Sequence, residues 1–546
     1  MPDSETRKPP QAEADGAQAK PARKRPAPRK RASAKPRTTD AEVLIAGAGP
    51  TGLVLALWLT RMGVKVRIVD KAMEAGKTSR ALAVQVRTLE LYRQMGLADA
   101  VVERGLKVEA VNFWAGDRKA ARALLADAGE GISPFPDPVI FPQDEHEKLL
   151  IERLSEAGVE VERGLELVDF EQDEAAVNAK CTTKDGETVT CSAAYICGCD
   201  GAHSVVRHKI GAGFPGGDYQ HTFYVADAQV SGPIADGELH VAMEPTDFIA
   251  FFPMKGEGRA RLVGTVRDDR LPEGRDLGWD DVSQDVLSRL KVVVEKVNWF
   301  STYRVHHRVA DKFRDGRAFI LGDAAHIHSP VGGQGMNTGI GDAINLAWKL
   351  AAALRERADD RLLDTYQPER IAFARKLVST TDQLFVAATD SGGIARFVRT
   401  DLMPKVAPFI ARFDATRKFL FRTVSQTGVN YHGSRLSAGG AGYVRGGDRL
   451  AWVRLGGEDG QDNFGLLDGL SWQVHVYGEP NEGLEDACAR RRLPLHAISW
   501  RPDMRKAGFM KDAAYLVRPD GYVALADPHA SAANLERFLE DRGLTV

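Results

Sequence analysis

EVLIAGAGPTGLVLALWLTRMGVKVRIVD, residues 42–70, decides how the rest of the chain is read. Val43 to Ala46 is a short apolar run rich in branched residues that stops at a glycine, and Leu53 to Leu59 is apolar at helical spacing. The glycines therefore fall at a strand-to-helix junction, the setting that gives a Gly-x-Gly-x-x-Gly pattern its meaning. Gly47 permits the tight turn, Gly49 removes the Cβ that would block a pyrophosphate, and Gly52 lets the helix lie close on its strand. Pro50 has the fixed φ of a first helical turn, and Thr51 follows it inside the motif. A second strand, Val64 to Val69, ends in Asp70 and Lys71, where a carboxylate that accepts ribose hydroxyls is expected.

The same pattern recurs as GAGFPG, Gly211 to Gly216, but with Pro215 where a helix should begin, so it reads as a loop. One dinucleotide fold implies one tightly held cofactor, and any second nucleotide binds without a Rossmann domain of its own.

With 546 residues the chain has room for two or three domains, and its formal net charge of −2 points to no polyanionic partner for the body of the protein. Residues 1–40 differ, with 11 Lys or Arg against 5 Asp or Glu and almost no large apolar side chain. Such a segment cannot offset chain entropy by burial and is expected to be disordered. No signal-peptide core and no stretch of about 20 apolar residues is seen, so a cytoplasmic protein without membrane contact is expected. The five cysteines make no disulfide framework. In CSAAYICGCDG, Cys191, Cys197 and Cys199 read as packing thiols of a buried strand, with no metal site completed around them.

That strand leads into DGAHSVVR, where Asp200 and Gly201 stand at a strand end and Ser204 and Arg207 enter a helix. Further on, Ala318 to Leu321 reads as a strand, Gly322 lets the chain turn and Asp323 offers a carboxylate. After Pro330 comes a loop with Gly332, Gly333 and Gly335, then a helix whose start, near Met336 and Asn337, would aim free N–H groups at an electron-rich ring edge.

The Gly47 to Gly52 turn, DGAHSVVR and GDAAHIHSPVGGQGMN, in this order, resemble the three fingerprints of the single-component FAD-dependent aromatic hydroxylases, the group A flavoprotein monooxygenases. Length and the C-terminal third make the chain similar to the phenol, pentachlorophenol and polyketide hydroxylase branch. The resemblance implies an α/β fold: a Rossmann-type FAD-binding domain (41–215 and 305–385), an inserted antiparallel β-sheet substrate domain (216–304), a helical connector (386–438) and a thioredoxin-like domain (439–546). In the last, strands are expected at Trp472 to Tyr477, His496 to Trp500, Ala514 to Val517 and Tyr522 to Leu525, with helices near Glu485 and Asn534. It has no Cys-x-x-Cys, so redox work is not expected of it.

The resemblance further implies that Gly47, Gly49 and Gly52 hold the pyrophosphate and Asp70 the adenosine ribose, Asp standing where Glu is more usual. TSRALAVQVRTLELYRQMGL makes Arg80 a flavin neighbour, FPQDEHEKLL places Gln143 near the ribityl chain, and Asp323 matches the acid that binds a ribityl hydroxyl. Asp200, Gly201 and Arg207 belong to a turn associated with both FAD and the passing nicotinamide nucleotide. Pro330, Gly333, Gly335, Met336 and Asn337 form the loop at the flavin ring. The implied reaction uses noncovalent FAD, NADH or NADPH as transient reductant, and O2, and passes through a flavin C4a-hydroperoxide to a hydroxylated phenolic or related aromatic substrate. No side chain need serve as nucleophile, and no metal is called for.

Strand-like segments between 216 and 304 make Tyr224, Phe252 and Met254 candidates for the substrate lining, and His306 and His307 read as structural. Two other readings stand beside this one: a flavin enzyme that does not hydroxylate, such as a halogenase or reductase, and a nucleic-acid-associated protein acting through the basic tail. The Trp-x-Trp-x-x-Pro type of motif expected of flavin halogenases is absent from the sequence. Homo-oligomer formation is left open.

Overall fold

The computed structural model describes residues 39–76, 81–115, 117–243, 248–267, 277–282, 284–327, 333–389, 414–456 and 460–546. The expectations for the basic tail up to residue 38, for Arg80, and for Pro330 and Gly332 fall outside these residues.

The segment quoted first forms a strand, Ala41–Ala46, a helix, Pro50–Arg61, and a second strand, Val66–Asp70. The first strand lies inside a sheet whose order is Arg314–Asp315, Ala318–Ile320, Thr188–Gly198, Ala41–Ala46, Val66–Asp70, Val161–Arg163. Val43, Leu44 and Ile45 are fully buried in it. Each such side chain stabilises the fold by roughly 1.5–3 kcal/mol relative to exposure, which is why the run carries no polar alternation.

Register explains why motifs about 150 residues apart meet. Ala46 pairs with Gly198, and Gly198 with Ile320, all in parallel ladders. Three neighbouring strands therefore end level and on the same side, and the next residues are Gly47, Cys199 and Leu321. The three turns singled out in the sequence stand side by side at the carboxyl ends of parallel strands, where open α/β sheets bind their ligands.

A second sheet runs in the order His326–Ile327, Val293–Val309, Gly216–Ser231, Arg259–Arg267, Phe248–Pro253, Leu239–Met243, Ala110–Ala115, Arg118–Leu124. Its last two strands come from a region that the sequence reading assigned to the nucleotide domain. They join because Leu239–Met243 pairs in parallel with Ala110–Ala115, Leu239 opposite Val111, a contact between segments far apart in the chain. Of the Gly211 to Gly216 stretch, Gly211 to Pro215 form a loop, with Gly213 N–H donated to Asp311, and Gly216 begins the strand Gly216–Ser231. His306 and His307 sit half-buried on the long strand, opposite Asp218 and Gly217.

The C-terminal region forms a third sheet, ordered Val444–Arg445, Ala438–Ala441, Val523–Asp527, Ala514–Val517, Gln473–Tyr477, Leu495–Ile498. Gln473–Tyr477 and Leu495–Ile498 are parallel and joined through the helix Glu482–Arg491, and the other two central pairings are antiparallel. A terminal helix, Ala532–Asp541, packs back on it. The region is thus a β-α-β unit followed by a hairpin and a helix. No described helix is long and apolar enough to cross a membrane.

Candidate active site

The first turn is built by close contacts. Gly47 has φ +102°, and a Cβ there would run into the carbonyl oxygen of Cys199. A Cβ on Gly52 would strike the carbonyl of Gly47. Gly49 is different: its φ of −76° suits any residue, and no atom of the described residues lies within 4 Å of where its Cβ would be. Neither backbone strain nor packing demands glycine at this position. The open space lies at the N-terminus of the helix Pro50–Arg61, which no side chain caps, the position at which a pyrophosphate is favoured. The residues present therefore fit a dinucleotide.

Asp70 points back into this turn. One carboxylate oxygen accepts the N–H of Ala48 at 2.6 Å and the other that of Ala72 at 2.7 Å. The short carboxylate thus fixes the turn, and each oxygen keeps a lone pair for a further donor. Lys71 is exposed beside it.

In the second turn Asp200 accepts Val205 N–H at 2.7 Å on Oδ2, while its buried Oδ1 has no hydrogen-bond partner among the described residues. Burial raises its carboxyl above the usual range, against the bond from Ser204. An acceptor with unused capacity suits a hydroxyl rather than a phosphate. Gly201 makes the turn at φ +75°. Arg207 is turned inward: it donates to the carbonyls of Ala202 at 2.8 Å and Ala324 at 3.1 Å and lies over the Phe214 ring. It joins the second turn to the third.

In the third turn Asp323 is exposed, and Gly322 packs on Thr51 of the first helix. Gly322 N–H is donated to the buried carboxylate of Asp342 at 3.1 Å. The glycine loop then enters the helix Gly335–Leu354, which begins without a side-chain cap. Met336 is half-buried against the main core. Asn337 is 1% exposed and uses its whole amide: Oδ1 accepts from Gln85 N–H at 2.9 Å and Thr88 Oγ1 at 2.8 Å, and Nδ2 donates to the carbonyls of Ala83 at 2.9 Å and Gly333 at 2.8 Å. Gln143 begins the helix Gln143–Glu156 and holds the same segment, its N–H donated to the carbonyl of Ala81 at 3.2 Å.

Residues 40–381 match the family model described as the FAD binding domain, well over half of the chain. The chain belongs to the FAD-dependent aromatic monooxygenases. It is 30% identical to a flavin-dependent monooxygenase of Mycobacteroides abscessus over 88% of this chain and 96% of that protein. It is 38% identical to the 6-methylpretetramide 4-monooxygenase of Streptomyces rimosus, over 63% of this chain and 62% of the relative's length. The solved structure of the anhydrotetracycline hydroxylase OxyS from Streptomyces rimosus superposes with a TM-score of 0.74 at 28% identity, covering 92% of this chain and 99% of that one. The cofactor of the present chain is FAD.

The monooxygenase turns one face of its second sheet toward the nucleotide domain. Phe223 and Asp227 alternate on that face and pair across strands with Tyr303 and Trp299, while Arg261 stands opposite both Asp227 and Phe252. Phe252 packs against Leu82 and Ile140 of the nucleotide domain, and Arg261, paired with Asp227 at 2.5 Å, reaches toward the carbonyl of Ala81 at 3.5 Å. Tyr224 lies on the opposite face, 3% exposed, among Trp279 and Phe300. The pleat places it in a core on the face opposite Phe223, Asp227 and Arg261, and Phe223 is itself fully buried, stacked on the Tyr303 ring. Met254 is buried at the turn that follows the strand Phe248–Pro253, its N–H donated to the carbonyl of Arg259 at 2.9 Å.

Sequence reading missed a set of buried polar residues behind the three turns. Asp342 also accepts from His326 Nε2 at 2.7 Å and Arg370 Nε at 2.5 Å. Gln426 of the connector donates to Gln334 Oε1 at 2.6 Å, and Gln334 donates to the carbonyl of Val424 at 2.7 Å, so the connector clamps the glycine loop. Arg518 of the C-terminal hairpin binds Glu369 at 2.9 Å and Asp520 at 2.6 Å, all three buried. The available signal was charge inside apolar runs, as in GDAINLAWKL, since an Asp or Lys there must find a partner.

Proposed function

We propose that this monooxygenase hydroxylates a phenolic ring of a multi-ring aromatic substrate, using FAD, NADH or NADPH, and O2. The observation that carries the reading is the sheet face that bears Tyr303, Trp299 and Phe252, where Phe252 packs on Leu82, beside the Ala83 that Asn337 ties to the glycine loop. The relatives named for 6-methylpretetramide and anhydrotetracycline support a substrate of more than one ring.

When bound, the flavin supplies electron transfer from the nicotinamide and activation of O2. The chain supplies the rest. Open space at Gly49 would admit the pyrophosphate, Asp70 and Asp323 would accept ribose and ribityl hydroxyls, and the helix start at Gly335 to Asn337 would offer its positive end to an electron-rich ring. The aromatic face holds the substrate ring and keeps water from the reacting centre, so that reducing equivalents go into the product. A lone Rossmann turn leaves the nicotinamide nucleotide to bind transiently.

The test offers the purified holoenzyme phenol, naphthols, hydroxyanthraquinones and anhydrotetracycline, with NADH or NADPH consumption, H2O2 and 18O incorporation from 18O2 measured together. A multi-ring phenol that stimulates NAD(P)H oxidation and gains one 18O supports the proposal. Oxidation that yields only H2O2 with every compound, or product without 18O, contradicts it.

A further inference from the structure

We propose that Asp342 is a positioning residue for hydroxylation, fixing the Gly322–Asp323 turn in register with the substrate sheet through His326 and Arg370; the inference rests on the hydroxylase reading above. Asp342 is fully buried on the helix Gly335–Leu354, less than two turns from the Asn337 staple. Its Oδ2 receives Gly322 N–H at 3.1 Å, the amide immediately before Asp323, and His326 Nε2 at 2.7 Å. His326 belongs to the two-residue strand His326–Ile327, which pairs with Arg308 and Val309 at the end of the long substrate-sheet strand. One carboxylate oxygen is thus shared between the flavin turn and the sheet that roofs the site.

The other oxygen anchors this arrangement. Oδ1 accepts Arg370 Nε at 2.5 Å, while Arg370 Nη2 donates to the carbonyl of Thr338 at 3.0 Å and Nη1 to Tyr431 Oη at 2.9 Å. Arg370 therefore bridges the first turn of the glycine-loop helix, the acid behind the flavin turn and the connector. Burial alone would push the Asp342 carboxyl up, but Arg370 and His326 hold it below the ordinary carboxylate value. With Asp342 ionised, His326 carries its proton on Nε2 and donates it. A loss of charge at Asp342 would free Gly322, His326 and Arg370 together, which is how one residue without ligand contact can set the separation of two surfaces.

The test compares Asp342→Asn, His326→Gln and His326→Leu with the wild-type holoenzyme, on a substrate that the wild type hydroxylates. FAD dissociation constant, H2O2 formed per NAD(P)H consumed, and the thermal midpoint of each apoprotein are read. Gln at 326 can still donate to Asp342 and should keep the H2O2 fraction within about twofold of wild type. Leu cannot, and should raise that fraction at least threefold while FAD affinity changes less than threefold, because the adenosine end remains held. Asp342→Asn should weaken FAD binding about tenfold and raise the H2O2 fraction further. If Asp342→Asn does not fold, the two His326 variants decide the matter alone. Equal coupling in His326→Leu and wild type overturns the proposal, as does equal uncoupling by Gln and Leu. A wild type that binds no FAD or incorporates no 18O strikes the hydroxylase reading instead.

Discussion

Asn337 accepts the backbone N–H of Gln85 on its Oδ1 at 2.9 Å, across 252 residues of chain. This is one of three bonds through which a single buried amide ties the glycine loop to the strand Ala83–Val84 and the start of the helix Val86–Arg93, a fourth holding Gly333 within the loop. Asn337→Leu has about the right volume but leaves a buried N–H and two carbonyls without partners. Each unmet group costs about 1–3 kcal/mol, so urea denaturation should show a loss of several kcal/mol. Asn337→Asp keeps the acceptor only and should fall between Leu and wild type. A Leu variant as stable as wild type would show that the staple does not form.

Asp323 stands exposed on the third turn. Asp323→Ala should change apoprotein stability by less than about 0.5 kcal/mol, as surface substitutions do. If its carboxylate binds a ribityl hydroxyl, FAD affinity should weaken by the equivalent of about 1–3 kcal/mol. Flavin fluorescence titration of the apoprotein measures this, and an unchanged dissociation constant removes Asp323 from the site.

Two buried histidines predict an acid limit. Burial pushes His146 and His475 each down to about 3, from an ordinary value of 6.5. Both stay neutral in the folded state while the unfolded chain takes up protons below about pH 6.5. Stability is therefore complete above that pH and falls between about 6.5 and 3, by up to about 1.4 kcal/mol per pH unit for each histidine. Urea midpoints from about pH 4.5 to about pH 7.5 should slope accordingly, and His475→Phe should flatten the slope. An identical slope in that variant would mean that His475 is not buried neutral.

The parts legible in the sequence are those whose physics is local. Gly47, Gly49 and Gly52 can be placed because strand, turn and helix follow one another within a single short segment, and the strands Ala514–Val517 and Gln473–Tyr477 lie within a residue of their expected ends. What escapes depends on contacts between distant segments. The face on which Tyr224 lies follows from the register of Gly216–Ser231 against its neighbours, and one residue of alternation decides it. Ala110–Ala115 joins the second sheet through a parallel pairing that no short pattern announces. Arg207 is expected at the nucleotide, whereas burial turns its guanidinium onto the carbonyls of Ala202 and Ala324. His326 and Arg370 stand 16 and 28 residues from Asp342, and only the packed helices bring them together.

The account stands most directly on Gly49, where the fold leaves room that the chain itself does not fill. A Cβ at Gly49 meets no atom of the described residues within 4 Å and the φ is an allowed one, so the Gly49→Val apoprotein should fold with its stability changed by less than about 1 kcal/mol. The added methyl groups would occupy the pyrophosphate space, and FAD affinity measured by fluorescence titration should fall at least a hundredfold, about 2.7 kcal/mol or more. Wild-type FAD affinity in a well-folded Gly49→Val protein would contradict the placement of the dinucleotide on this turn, and with it the site built around it.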